Sequence, residues 1–481
     1  MKSVYEKPVI TKLQSSLMNK FGLSTAGRSR SRPDIDGASI PEMIAKHGSP
    51  LFVFSEQAIR RKYRQYHRAF STRYPNVVIG WSYKTNYLKA ICALMHEQGA
   101  IAEVVSKMEY QKAKALGVPG DQIIFNGPHK SKDILLQAVQ DGATINIDHQ
   151  DEIEDLESIA RKLGRPIKVG IRLNLDSGIY PQWSRFGFNL ETGQAMDVIR
   201  HMSHEGLLEL DGLHCHIGTF ILDTAAYGRQ VRKMVGFAQE VEKRFGFRVS
   251  YLDVGGGFPS RNKLKGSYLS PDVMIPSIDE YAESLCDALL DALPADWRPK
   301  LILESGRMLV EEAGSLVTSV LAAKRLADGM RAYVLDAGVN LLYTATWYKF
   351  QIETVEEQSG LTEPCVLYGP LCMNIDVVDD YLQLPPLSRG QQLVISPVGA
   401  YNNTQWMQFI EYRPAIVMVG EDGQVDVIRE AEELSDVEHR ERLPERFVHA
   451  GSSIKGHVHA APTKATPPPE KKAKPTRPKK S

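Results

Sequence analysis

Between residues 77 and 306, short β-branched runs alternate with amphipathic helical stretches eight times, and this alternation constrains the fold more than any single motif. The apolar runs cover 77–84, 101–106, 123–126, 144–148, 168–174, 212–218, 251–257 and 301–306. Helical periodicity fills the gaps at 88–97, 107–116, 132–141, 150–163, 192–201, 227–245 and 279–293. Eight strand–helix repeats in about 250 residues predict a (β/α)8 barrel, whose active site lies at the C-terminal ends of its strands. A doubly wound open sheet is the competing architecture.

The strand ends favour the barrel, because each apolar run stops at a group able to do chemistry or bind an anion: Lys84, Ser106, Asn126, Asp148, Asn174, His216, the glycines Gly255, Gly256 and Gly257, and Glu304. One pocket accounts for all of them. Lys84 is the most pointed case. An ammonium at the end of an apolar strand is costly to bury, so the side chain either reaches solvent or has a lowered pKa and serves as an amine nucleophile.

Beyond Arg307 the pattern changes to β-type runs at 332–335, 349–354, 364–368, 392–395, 415–419 and 425–429, with a helix-compatible stretch at 373–381. The domain reading is an N-terminal segment over 1–50 that partly packs on the β domain, a barrel over 51–320, an all-β domain over 321–447 and a disordered tail over 448–481. Within the first segment, 9–13 reads as a strand and 24–33 as a solvated arginine-rich loop. The tail is rich in Pro and Lys and too poor in apolar residues to fold.

Composition narrows the class. With 58 basic and 58 acidic residues, no global field steers a nucleic acid. Five cysteines without a CxxC pair argue against a disulfide framework or zinc site and for a reducing compartment. No stretch reaches the roughly 18 apolar residues that span a bilayer. A cytoplasmic location is the expectation.

Four motifs carry candidate chemistry. The three glycines at 255–257 leave backbone N–H groups free to cradle a phosphate at a strand end. Glu304-Ser305-Gly306-Arg307 puts a carboxylate and a guanidinium three residues apart, as a phosphate or heterocycle site or as a rim salt bridge. His214-Cys215-His216 places two imidazoles on one side of a strand; no third ligand with metal spacing follows, so a ring-packing histidine is favoured over a metal. Cys372 and Asp376 in Gly369-Pro370-Leu371-Cys372-Met373-Asn374-Ile375-Asp376, and Tyr401 after Gly399-Ala400, are ambiguous when read alone.

Together these residues resemble the fold-type III pyridoxal phosphate decarboxylases, the family of diaminopimelate and ornithine decarboxylases, over about residues 45–430. The resemblance implies pyridoxal 5'-phosphate as cofactor, an amino-acid substrate, and a homodimer with shared active sites. It makes Lys84, in Tyr83-Lys84-Thr85-Asn86, the lysine that carries the cofactor, and His216 the ring that stacks on it. Thr219, Gly255, Gly256, Gly257, Gly306 and Tyr401 become the phosphate surroundings, Glu304 the partner of the pyridine nitrogen, and Arg307 a contact for phosphate or substrate carboxylate. Cys372 and Asp376 resemble the segment one subunit inserts into its neighbour, with Cys372 as the proton donor and Lys84 as the alternative.

Two positions depart from the diaminopimelate pattern. Met373 stands where the family carries an acid for the distal ammonium, and Thr344 where those enzymes carry an arginine for the distal carboxylate, while Tyr348 is retained. The expected activity is decarboxylation of an α-amino acid that is modified or conjugated at its far end, with Tyr343, Trp347, Tyr348 and Trp406 as aromatic neighbours. Decarboxylation of meso-diaminopimelate is the alternative within the class, and a non-catalytic binding relative the alternative outside it.

Overall fold

The computed structural model describes residues 31–448; the strand expected at 9–13, almost all of the arginine-rich loop and the tail lie outside the described residues. Eight parallel strands form in sequence: Val77–Ser82, Ile101–Val104, Ile123–Phe125, Thr144–Ile147, Ile167–Asn174, Leu208–His214, Tyr251–Asp253 and Lys300–Ser305. Each pairs with the next, and Lys300–Ser305 pairs back onto Val77–Ser82, with Leu303 opposite Ile79. The sheet is therefore a closed barrel.

Side chains explain the closure. Residues such as Ile79, Trp81, Ala102, Val104, Phe125, Ile147, Ile171, Leu213, Leu252 and Leu303 are all buried, as expected of strands covered on both faces. The outer helices bury one stripe each. In Glu56–Ser71, Ile59, Tyr63, Tyr66 and Phe70 recur at three- and four-residue spacing, and the Ser55 hydroxyl caps the start by accepting from Ala58 N at 2.9 Å. Ile278–Ala292 opens with a full capping box between Ser277 and Glu280.

A second sheet follows the barrel, and part of it precedes the barrel in sequence. Leu51–Ser55, entirely buried, runs antiparallel to Gly314–Arg325 with Phe52 opposite Leu316, and parallel to Ile416–Val419 with Phe52 opposite Ile416. Starting the barrel at residue 51 thus includes a strand of the other sheet; the unbroken run Leu51-Phe52-Val53-Phe54 is apolar because it is a central strand. Likewise Gly314–Arg325 opens the second sheet before residue 321.

The stretch at 373–381 is not helical. A turn ends at Asp376, and Val377–Leu384 is a strand antiparallel to Glu363–Tyr368. Asp379, buried within this strand, pairs with Lys349 at 3.5 Å. Beyond Glu432 the described chain continues as a separate small unit with helices Leu434–Glu438 and Glu445–Val448. Among the described residues no helix is long and apolar enough to cross a membrane.

Candidate active site

The first barrel strand stops at Ser82, and one 3-10 turn, Tyr83–Thr85, delivers Lys84 to the barrel mouth. Its Nζ donates to Glu103 Oε2 at 2.6 Å; the Glu103 side chain is fully buried and that of Lys84 is 39% exposed. Burial alone would push the ammonium down, but the charges of Glu103 and Glu304 outweigh it and hold Lys84 well above its ordinary value. Of the two alternatives read from sequence, solvent access or a lowered pKa, the side chain without its cofactor shows partial exposure and a raised value. The side chain is a held ammonium, and Glu103 is the acceptor in contact with its proton.

Glu103 escaped the sequence reading because it lies inside the apolar run Ile101–Val104. In the barrel it is tied to Glu304 through Asn126, whose Nδ2 donates to Glu103 Oε1 at 3.1 Å and, by a short contact, to Glu304 Oε1. His214 Nε2 lies 3.4 Å from Glu304 Oε2. Burial opposes ionisation of Glu304, yet His214, Lys84 and Asp253 outweigh it and hold this carboxyl well below the usual range. Burial and the Glu304 charge push Asp253 the other way. Ligand-type atoms of His214, Asp253 and Glu304 lie within 4.8 Å of one another, a grouping invisible in the sequence spacing. A proton kept on Asp253 relieves the repulsion between the two acids.

A cavity of about 150 Å³ opens above this floor, lined by Lys84, His216, Thr219, Gly256, Gly257, Glu304, Gly306, Arg307 and Tyr401. Trp183, which no sequence motif marks, lines it too and meets the His216 ring edge-on at 5.4 Å. Burial, helped by Arg172 and Lys84, pushes His216 down to about 3, so its ring is neutral. His216 Nδ1 accepts from Gly256 N at 3.0 Å, which sets the tautomer and aligns ring and glycine loop. Gly257 has φ +95°, and a Cβ at Gly256 would collide with the Glu304 carbonyl oxygen, so neither position admits a side chain. Gly255 donates to Asp253 Oδ1 at 2.9 Å.

Arg307 opens the short helix Arg307–Val310 and pairs with Glu311 at 3.1 Å. Its guanidinium lies 4.7 Å from the Tyr401 ring centroid and 5.4 Å from that of Tyr348. Burial pushes the Glu311 carboxyl up to about 7 despite the Arg307 charge. Its folded value exceeds the ordinary 4.5, so its contribution to stability is full below about 4.5 and is lost as pH rises toward 7. Glu311→Gln is therefore expected to gain stability relative to the parent between pH 5 and 8, with an upper limit on the order of 3 kcal/mol. Thermal or urea unfolding of both proteins across that range measures it, and parallel pH curves would refute it.

The residues expected at the substrate's far end lie elsewhere on the same chain. Thr344 is fully buried, and both its N–H and its hydroxyl donate to Asn402 Oδ1, at 3.1 and 3.0 Å. Tyr348 is buried beside Arg307. Cys372 is exposed on the turn after Tyr368, and neither it nor Met373 lines the cavity. Asp376 is 2% exposed, and its carboxylate accepts from Val339 N and Leu371 N, both at 2.8 Å. Its charge holds the turn in shape within its own chain, which departs from the substrate contact anticipated for it. Trp406 packs on Phe52 at 5.5 Å under Arg429, away from the role of aromatic neighbour.

Residues 56–311 match the family model described as "Pyridoxal-dependent decarboxylase, pyridoxal binding domain". The diaminopimelate decarboxylase of Aquifex aeolicus is 31% identical over 414 residues, covering 83% of this chain and 93% of the relative. That of Archaeoglobus fulgidus is 29% identical, covering 85% and 97%. The solved diaminopimelate decarboxylase from M. jannaschii in complex with L-lysine superposes with a TM-score of 0.78 at 28% identity, over 86% of this chain and 96% of that one.

The cavity suits the cofactor that these matches imply. It offers a neutral imidazole face, a glycine loop that any Cβ would fill, an arginine, an ionised buried carboxylate for a protonated ring nitrogen, and a lysine amine in one enclosure. On fold, site and relatives together, the chain belongs to the pyridoxal-dependent decarboxylase family and is a pyridoxal phosphate-dependent amino-acid carboxy-lyase closely resembling diaminopimelate decarboxylase.

Proposed function

We propose that this enzyme decarboxylates an α-amino acid whose far end is modified or conjugated. The reading that Lys84 holds the cofactor and Glu304 its ring nitrogen is carried by one observation, their convergence with His216 on a single cavity at the barrel mouth. Pyridoxal phosphate supplies a sink for the electron pair left at the α-carbon when CO2 departs. In this reading Glu304 Oε2 keeps the sink's ring nitrogen protonated, and the neutral His216 ring packs on its face. Arg307, Thr219, Tyr401 and the amides of Gly257 and Gly306 hold its phosphate, while the Gly255 and Gly256 amides, already bonded to Asp253 Oδ1 and His216 Nδ1, keep the loop in shape around it.

With the cofactor bound, Glu103, 2.6 Å from Lys84 Nζ, would take the proton that this amine gives up, and a free Lys84 Nζ would be able to return one. The proton for the α-carbon comes from Cys372 Sγ of a second subunit, the chain being a cytoplasmic homodimer. This assembly is supported by the exposure of Cys372 and of Ile375, 68% exposed, on a turn that Asp376 stiffens and that does not reach its own cavity.

The substrate reading rests on Met373 and Thr344. Methionine offers no charge, and the Thr344 hydroxyl is already committed to Asn402. An amino-carboxylate far end would forgo two charge-assisted hydrogen bonds of about 1.5–3 kcal/mol each. The exposed edge-to-face pair Tyr343 and Trp347, 5.3 Å apart, instead offers apolar area to a bulkier group. The second reading, meso-diaminopimelate itself, is favoured by the printed names of the relatives. CO2 release from meso-diaminopimelate and from a panel of side-chain-conjugated amino acids separates the two. The proposal expects kcat/KM for meso-diaminopimelate to lie about 10² or more below that of the best conjugate. Efficient turnover of meso-diaminopimelate would overturn it.

A further inference from the structure

We propose that Asn126 is a positioning residue that locks the two active-site carboxylates, Glu103 and Glu304, through one amide group. The inference rests on the roles given above to Lys84 and Glu304. Asn126 directly follows the third barrel strand and is 3% exposed. Its Nδ2 donates to one oxygen of each carboxylate. Both partners are acceptors only, so the NH2 end of the amide must face them.

The opposite end is fixed independently. Asn126 Oδ1 accepts from Asn146 Nδ2 at 2.8 Å, and Asn146 Oδ1 accepts from the Tyr251 hydroxyl at 2.7 Å. Asn146 is 1% and Tyr251 5% exposed, so bulk water has little access to substitute for a lost partner. This string, from the seventh strand through the fourth to the third, dictates which way the Asn126 amide points. It thereby sets the orientation of Glu103, which holds the Lys84 ammonium, and of Glu304, which faces the ring nitrogen.

Two buried carboxylates in one site ordinarily repel until one takes a proton. A single shared NH2 bonds one oxygen of each and fixes the spacing between them. Without it, both carboxylates lose a donor and their common spacing, and the support they give the Lys84 nitrogen and the cofactor's ring nitrogen weakens.

The test is a pH titration of the visible absorbance of the purified holoenzyme, with the cofactor dissociation constant measured alongside. A parent enzyme without lysine-bound absorbance would refute the role of Lys84 rather than this inference. Given that absorbance, Asn126→Ala should move its midpoint to lower pH by about one pH unit, a tenfold change in proton affinity, and weaken cofactor binding about tenfold or more. Tyr251→Phe leaves Asn126 in place and frees only the far end of the string; it should shift the midpoint in the same direction by a smaller factor, about two- to fivefold. Unchanged midpoint and affinity in these variants, or a shift to higher pH, would overturn the proposal. If the Asn126 variant does not fold, Tyr251→Phe decides it alone.

Discussion

Replacing Lys84 by alanine is expected to give a folded protein that no longer retains pyridoxal phosphate covalently and loses decarboxylation by a factor on the order of 10⁴ or more, the scale on which removal of a covalent catalytic group acts. The fold should survive because the side chain is 39% exposed and makes one ion pair. Glu103 is the residue left stranded, fully buried without its cation, so a modest loss of stability accompanies the loss of activity. Borohydride reduction followed by peptide mapping reads the attachment directly: label on Lys84 in the parent, none in the variant. Mixing Lys84→Ala with Cys372→Ala chains adds a second arm. With shared sites and random pairing, about half the dimers are mixed and each carries one intact site, so about a quarter of parental activity should return. Covalent label on the Lys84→Ala protein would remove Lys84 from its role, and no recovery on mixing would remove Cys372 from the neighbour's site.

Glu304→Gln should be the next most damaging change. The substitution keeps size and hydrogen-bonding reach but removes a charge that the fold holds ionised against the effect of burial. A ring nitrogen without an anionic partner keeps its proton less readily, and the electron sink weakens at the moment CO2 leaves. The loss falls on the transition state, so kcat should drop about 10²–10³-fold with little change in KM, comparable to removing a preorganised electrostatic group. Cofactor should remain attached to Lys84. A kcat within threefold of the parent would exclude Glu304 as partner of the ring nitrogen.

The barrel was legible because its signal is repeated: eight apolar runs with intervening helical periods cannot all be coincidence, and each is found as a parallel strand. Lys84, His216, the glycine loop and Arg307 were legible because they follow strand ends, where an unusual residue stands out against turn chemistry. Glu103 was not, since one acid between Ala102 and Val104 looks like a surface position on a half-exposed strand until the sheet closes and the interior face becomes a polar floor. Asn126 stood out only as a strand end; its two carboxylate partners come from strands 23 and 178 residues away in sequence. Val377–Leu384 was misread because Asp379 and Asp380 mask the alternation, and one of those acids is buried against Lys349.

The placement of Leu51–Ser55 has a consequence for how the molecule comes into being. This strand is made early, yet its two neighbours in the sheet, Gly314–Arg325 and Ile416–Val419, are synthesised roughly 260 and 360 residues later. Until then a five-residue ribbon, apolar from Leu51 to Phe54, waits with both edges open. The second sheet is thus the last part of the enzyme to become whole, and a ribosome that stalls between the two partners leaves an adhesive strand with one edge unpaired.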